Sequence, residues 1–168
     1  MKIERATAAD HPDILVLNES GLPHVNRISA DDLAEFAAQS CYFRIAREDE
    51  KPVGFLLAFS QQASYHSPNF LWFRDRYPRF VYIDRIVVAP SQRRLGVGRL
   101  LYADLERVAS ARAPNLTCEV NLDPPNPGSF AFHERFGFCE VGRQHTDGGA
   151  KFVCLMSKDL SPQTVTSS

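Results

Sequence analysis

The residues best suited to chemistry form one run, Pro90-Ser91-Gln92-Arg93-Arg94-Leu95-Gly96-Val97-Gly98-Arg99. Before it, Val81 to Val88 reads as a strand that stops at Pro90. After it, Gly98 to Ala111 carries apolar residues at Leu100, Leu101, Leu105 and Val108, the spacing of a helix with one buried face. A helix start leaves its first N–H groups unpaired and carries partial positive charge, and glycines let those groups come close to an anion. Guanidiniums alongside add charge-assisted bonds to phosphate oxygens. The run therefore reads as a phosphate cradle. A dinucleotide fingerprint would need a third glycine where Leu101 stands, and a Walker loop would need Gly-Lys-Ser/Thr after four spacers; neither is present.

A second patterned segment follows, Asn126-x-x-Ser129-x-x-Phe132-His133-x-x-Phe136-Gly137-Phe138. Together with Val88-x-Pro90 and Arg93-x-x-Gly96-x-Gly98, it resembles the GNAT superfamily of acyl-CoA-dependent N-acetyltransferases. Motif-level likeness covers residues 81–138, and the order of elements extends it over nearly the whole chain. The resemblance implies the GNAT fold, an α/β (α+β) arrangement. Its mixed, mainly antiparallel sheet has about seven strands, splayed between the fourth and fifth, and about four flanking helices. It also implies acetyl-CoA as co-substrate, no metal, and acetyl transfer to a primary amine by direct attack in a ternary complex. A small-molecule amine is the expected acceptor. The rivals are a protein N-terminal or lysine acetyltransferase, which would show an open groove, and a CoA-binding module without catalysis.

By the same resemblance, the backbone of Ile86, Val87 and Val88 would pair with the pantetheine arm as if it were a further strand, and Arg93, Arg94, Leu95, Gly96, Val97, Gly98 and Arg99 would hold the pyrophosphate. Asn126, Ser129, Phe132 and His133 would face the pantetheine and thioester end. Where the family often has a tyrosine that protonates the departing thiolate, this chain has His133, whose imidazole can also donate a proton near neutral pH. The alternative is a histidine that only packs against the cofactor.

Acetyl transfer also requires deprotonation of an ammonium whose intrinsic pKa is near 10. The candidate bases are Asp84, Glu119 and Tyr82. Asp84 interrupts an apolar strand, two and four residues before Ile86 and Val88, which alternation places on their face. A carboxylate there is costly unless used or paired, so Asp84 is either a base or the partner of a nearby arginine. Glu119 poses the same choice on the next strand.

The segment 61–79 lacks a clear period and contains Pro68 and Pro78. It reads as a structured loop, with Tyr65, Trp72, Phe73, Arg76, Arg79 and the adjoining Tyr82 as acceptor-binding candidates and residues 18–26 as the opposite wall. A homodimer contact or a small core over the sheet would account for the same aromatics. Arg74, Arg76 and Arg79 are either surface charges or attractors of an acceptor carboxylate.

The remaining elements must position these residues. Residues 2–6 read as a strand; Thr7 with Asp10, and Ser29 with Asp32, read as two helix starts. Residues 41–47 and 52–59 form a hairpin, 116–122 a strand and 127–136 a helix. Residues 138–145 and 151–157 form a hairpin closed around Asp147-Gly148-Gly149. At 168 residues the chain has room for one domain, 1–160, with 161–168 as a frayed tail, and a domain of this size buries roughly 70% of its unfolded surface.

The net charge of −1 argues against a broadly basic surface for nucleic acid, although seven of the 15 arginines fall between positions 74 and 99. The longest apolar run, Val53 to Phe59, is far shorter than the about 20 residues of a membrane span. Cys41, Cys118, Cys139 and Cys154 lie far apart, with no metal or redox pair, and suit a reducing cytoplasm. No metal-ligand spacing links His11, His24, His66 and His145.

Overall fold

The computed structural model describes residues 1–161; all but the first residue of the expected tail lies outside the described residues. Seven strands form one sheet in the order β1-β2-β3-β4-β5-β7-β6. They are β1 (Lys2–Arg5), β2 (Tyr42–Glu48), β3 (Lys51–Ser60), β4 (Val81–Val88), β5 (Asn115–Asp123), β6 (Cys139–Thr146) and β7 (Lys151–Asp159). Every pairing is antiparallel except β4 with β5. Five helices flank the sheet: α1 (His11–Glu19), α2 (Ala30–Gln39), α3 (Pro68–Arg74), α4 (Val97–Ala109) and α5 (Pro127–Arg135).

Local chemistry sets several boundaries. Ser29 caps α2 reciprocally: its hydroxyl accepts from the Asp32 N–H at 3.1 Å, and its own N–H donates to Asp32 Oδ2 at 2.8 Å. Thr7 and Asp10 make the same box ahead of the short turn that leads into α1. The β6–β7 turn holds Asp147, Gly148 and Gly149 at positive φ, a path on which glycine carries no Cβ penalty.

The sheet divides the core in two. On one face α4 and α5 cover Leu56, Ile83, Leu116, Cys118 and Met156. On the other, α1, α2 and α3 cover Ile45, Phe55, Leu57, Phe59, Phe80 and Tyr82. The segment 61–79, expected as a loop, contains α3, which accounts for five helices in place of about four. Seven residues are too few to show a helical period. Pro68 stands in the first turn, where its missing N–H costs nothing. Phe70 and Phe73 of α3 are fully buried. At about 1.5–3 kcal/mol per buried aromatic side chain, this packing holds α3 where its sequence alone would not.

The β4–β5 ladder has only two rungs, Val81 with Leu116 and Tyr82 with Thr117. Beyond Tyr82 the strands diverge, leaving the β5-facing edge of β4 without a strand partner. No described helix is long and apolar enough to cross a membrane.

Candidate active site

The glycine-rich run joins β4 to α4 as expected from its position. Gly96 caps α4 at φ 87°, and a Cβ placed on it would meet nothing within 4 Å. The helix start is therefore open, and Arg94 and Arg99 are exposed beside it. Phe132 of α5 and Ile86 of β4 both lie beside Gly98, where an added Cβ would stand 3.7 and 3.8 Å from them. Unpaired N–H groups, two guanidiniums and an open strand edge suit the diphosphate and amide arm of a CoA thioester. Arg93 stands apart from this set: its guanidinium turns back to donate to the carbonyls of Val88, at 3.2 Å, and Ser20, at 3.3 Å. It braces the loop and does not reach out for an anion.

Asp84 is not on the face shared by Ile86 and Val88. Leu57 pairs with Arg85 and Ala58 with Ile83, so Asp84 is the extra residue of a bulge, and a bulge resets the alternation of a strand. Ile86 and Val88 pack on the α4 side. Asp84 instead joins Tyr65 and Arg85 on the opposite side, where its Oδ2 accepts from Arg85 Nε at 2.6 Å and its Oδ1 from the Tyr65 hydroxyl at 2.5 Å. Both charged side chains are almost fully buried. Arg85 also donates to Asn18 Oδ1 and to the Asn26 carbonyl. With both carboxyl oxygens engaged, Asp84 is the buried partner of Arg85.

The divergence of β4 and β5 opens into a cavity of about 240 Å³. Asp84 and Arg85 of β4, Glu119 and Asn121 of β5 and Val153 of β7 line it, together with Tyr65, Asn69, His24 to Asn26, Thr146, Asp147 and Lys151. Glu119, half-buried, lines this space. Burial pushes its carboxyl up to about 7; the hydrogen bond from Tyr82 holds it down, and the negative Asp84 pushes it further up. The Tyr82 hydroxyl donates to Glu119 Oε2 at 2.6 Å. The Asn69 amide also favours the charged form, and Gln144 Nε2 holds Asn69 by its Oδ1 at 2.7 Å. A carboxylate titrating near neutrality suits a general base.

His133 lies elsewhere. It is 3% exposed, between α4 and α5 and within a ring of Tyr102, Phe132 and Phe138. Its Nδ1 is 2.7 Å from the Ser129 carbonyl, which can only accept, so Nδ1 carries the hydrogen. Nε2 then accepts from the Tyr102 hydroxyl at 2.6 Å. Burial holds the imidazole below its ordinary pKa, hence neutral. With both nitrogens committed in the core, His133 has no proton for a departing thiolate. Asn126 is likewise engaged, its Oδ1 capping α5 through the Ser129 N–H at 3.3 Å.

Of the expected acceptor-binding residues, Tyr65 lines the cavity, whereas Trp72, Phe73, Arg76, Arg79 and Tyr82 do not. Phe73 and Tyr82 are fully buried core residues. Burial pushes the Tyr82 phenol well up, so it is a donor to Glu119 and not itself the base. Trp72 lies so close over Gly142 of β6 that a Cβ there would sit 2.5 Å from the indole. The Arg76 guanidinium covers the same ring at 4.1 Å from its centroid, and Arg79 donates to the Arg112 carbonyl. These arginines brace α3 and its flanks.

Asn69, Asn121 and Lys151 escaped the sequence reading. Asn121 had a signal, since alternation from Glu119 places it on the same face of β5. Asn69 and Lys151 had none: a helix unseen in the sequence carries the first, and a hairpin distant along the chain brings the second.

The sequence model of the Acetyltransferase (GNAT) family matches residues 12–138. None of the curated proteins matches the chain. Among solved structures, it is similar to the ribosomal-protein-S18-alanine N-acetyltransferase of Escherichia coli, at TM-score 0.74, 17% identity and coverage of 99% of this chain and 98% of that one. It is similar as well to Naa20 of Chaetomium thermophilum, solved with a bisubstrate analogue, at TM-score 0.71, 21% identity and 95% and 86% coverage. Ard1 of Thermoplasma volcanium has TM-score 0.75, 15% identity and 94% and 96% coverage. These likenesses describe the fold, and the family model spans well over half of the sequence: the chain belongs to the GNAT acetyltransferase family.

Proposed function

We propose that this protein transfers an acetyl group from acetyl-CoA to the primary amine of a small molecule, with Glu119 as general base. The observation that carries the reading is Glu119 itself, a carboxylate pushed up to about 7 that lines a cavity beside the open edge of β4. When bound, acetyl-CoA supplies an acetyl group activated as a thioester. The start of α4, with Arg94 and Arg99, would hold its diphosphate, and the edge from Ile86 to Val88 its amide arm.

The acceptor arrives as an ammonium. Glu119 takes one proton and releases it to solvent, freeing the lone pair to form the C–N bond as the C–S bond breaks. The acceptor nitrogen must then shed a second proton and the thiolate must gain one, so these two events balance without a dedicated side-chain acid. That accounting is consistent with a His133 committed to the core.

A peptide N-terminus is the second reading, favoured by the acceptor in the name of the Escherichia coli neighbour. Against it, Lys151 Nζ donates to Asn26 Oδ1, tying the start of β7 to the segment after α1 along the cavity lining. The deciding experiment incubates wild type and Glu119→Gln with acetyl-CoA and a panel of small amines and N-terminal peptides, reading free thiol. Thiol release with small amines, reduced at least about 100-fold by Glu119→Gln, is the result for a general base. Release no faster than without acceptor, across the panel, would leave a CoA-binding module and overturn the proposal.

A further inference from the structure

Asn69, Glu119 and Gln144 come from a helix and two strands far apart in the chain, and the fold brings them together. Asn69 stands in the first turn of α3, which packs against β5, and it lines the cavity together with Glu119. It is 8% exposed. One turn on, Trp72 lies over Gly142 of β6, and Gln144 follows two residues later on the same side of that strand. There Gln144 Nε2 donates to Asn69 Oδ1 at 2.7 Å.

An asparagine amide presents an oxygen at one end and an N–H pair at the other. Its terminal torsion is soft, so a free side chain turns either end toward a neighbour. The two ends act oppositely on a carboxylate, the N–H pair favouring its charged form and the oxygen disfavouring it. With Oδ1 taken by Gln144, the end left for Glu119 is Nδ2, and hydrogen bonding from Asn69 does favour the charged carboxylate. The Tyr82 hydroxyl supplies another donor, to Oε2 at 2.6 Å. Hydrogen bonds aligned in one direction polarise one another, so the Gln144 bond also strengthens the donor that Asn69 offers.

Resting on the proposed role of Glu119 as base, we infer that Gln144 is a positioning residue of this site: by holding Asn69 Oδ1 it keeps the Asn69 N–H pair turned toward Glu119. It acts through Asn69, without lining the cavity itself.

The test reads the ionisation of Glu119 without turnover. Carboxyl carbon resonances are followed against pH by NMR in protein carrying isotope-labelled glutamate, the Glu119 signal being the one that Glu119→Gln removes. The variants are Gln144→Met, which keeps the length of the side chain and removes the donor, Gln144→Glu, which replaces the donor with an acceptor, Asn69→Leu, and Asn69→Leu combined with Gln144→Met. Loss of the donor should move the Glu119 midpoint upward by about 0.5 in pH, and Gln144→Glu should move it at least as far. The double variant should match Asn69→Leu alone, because Gln144 has nothing to act through once Asn69 is gone. A side chain that only docked α3 on β6 would lower Tm on its loss and leave the midpoint where it was. Where Gln144→Met fails to fold, Gln144→Glu, equal in size to the native residue, carries the same comparison. A midpoint that stays put or falls in a folded Gln144 variant, or a double variant in which the two shifts add, would overturn the inference. The reaction is read separately: the acid limb of kcat/KM for thiol release should move with the midpoint. A midpoint that moves while the limb does not would refute Glu119 as the base and leave the hold of Gln144 on it intact.

Discussion

The Tyr82 hydroxyl donates to Glu119 Oε2 at 2.6 Å, and Tyr82 also forms the last rung between β4 and β5. One residue thus ends the ladder and reaches across the opening to steady the carboxylate beyond it. Tyr82→Phe keeps the buried ring and removes the bond, which favours the charged carboxylate. Glu119 then titrates higher, and the acid limb of the kcat/KM profile moves to higher pH. At pH 7 the rate falls about fivefold, roughly 1 kcal/mol, and recovers by pH 9. A pH–rate profile of the variant checks both the direction and the recovery.

Asp84→Asn moves the same limb the other way. The Asp84 charge raises Glu119, so its loss lowers the pH at which Glu119 ionises. Stability should drop as well, because Arg85 is left buried without its carboxylate, at a cost of about 3–5 kcal/mol. Thermal melting and a pH profile of the surviving folded fraction separate the two effects. An unmoved limb in a folded variant contradicts the electrostatic link.

Glu119 also couples folding to pH. Its folded value of about 7 lies above the ordinary 4.5, so between these values the folded state holds a proton that the unfolded chain has released. Stability therefore falls as pH rises from about 4.5 to 7 and levels off above. Glu119→Gln removes that slope. Denaturant melts should show this variant gaining on wild type at pH 8 relative to pH 4.

His133→Phe tests a core histidine. The Tyr102 hydroxyl loses its acceptor, which costs about 1–3 kcal/mol and lowers Tm, while kcat stays within about threefold of wild type. Adding Tyr102→Phe removes the unpaired hydroxyl too, and a double-mutant cycle should show strong coupling. A drop of kcat by 100-fold in a fully folded His133→Phe would restore an acid role.

Gly142→Ala drives a methyl into the indole of Trp72, 2.5 Å away before any relaxation. Overpacking of this kind costs about 1–3 kcal/mol. The strain falls between α3 and β6, away from Glu119. Chemical denaturation should report the loss.

Residues near one another along the chain made much of this protein legible. The glycine run between strand and helix needs only local geometry to leave an open helix start, and the caps at Ser29 and Asn126 are settled within three residues. The splay of the fourth and fifth strands followed from resemblance, and its two rungs bear it out. Glu119 could be nominated because an acidic residue in an apolar strand always demands a reason.

What tertiary structure alone decided is which of several plausible polar residues meet. A one-residue bulge at Asp84 transferred that carboxylate to the other face of the sheet and into the grasp of Arg85. Packing of Phe70 and Phe73 raised a helix from a segment with no period, and that helix brought Asn69 toward Glu119. Tyr102, 31 positions away, claimed the nitrogen that His133 would have needed for chemistry. Asp84 and Arg85 are neighbours in sequence, but the bulge that presents them is set by pairing with β3, and the other two contacts likewise join segments far apart. Their energy comes from burial and pairing that exist only once the chain has closed on itself, so alternation and spacing cannot encode them.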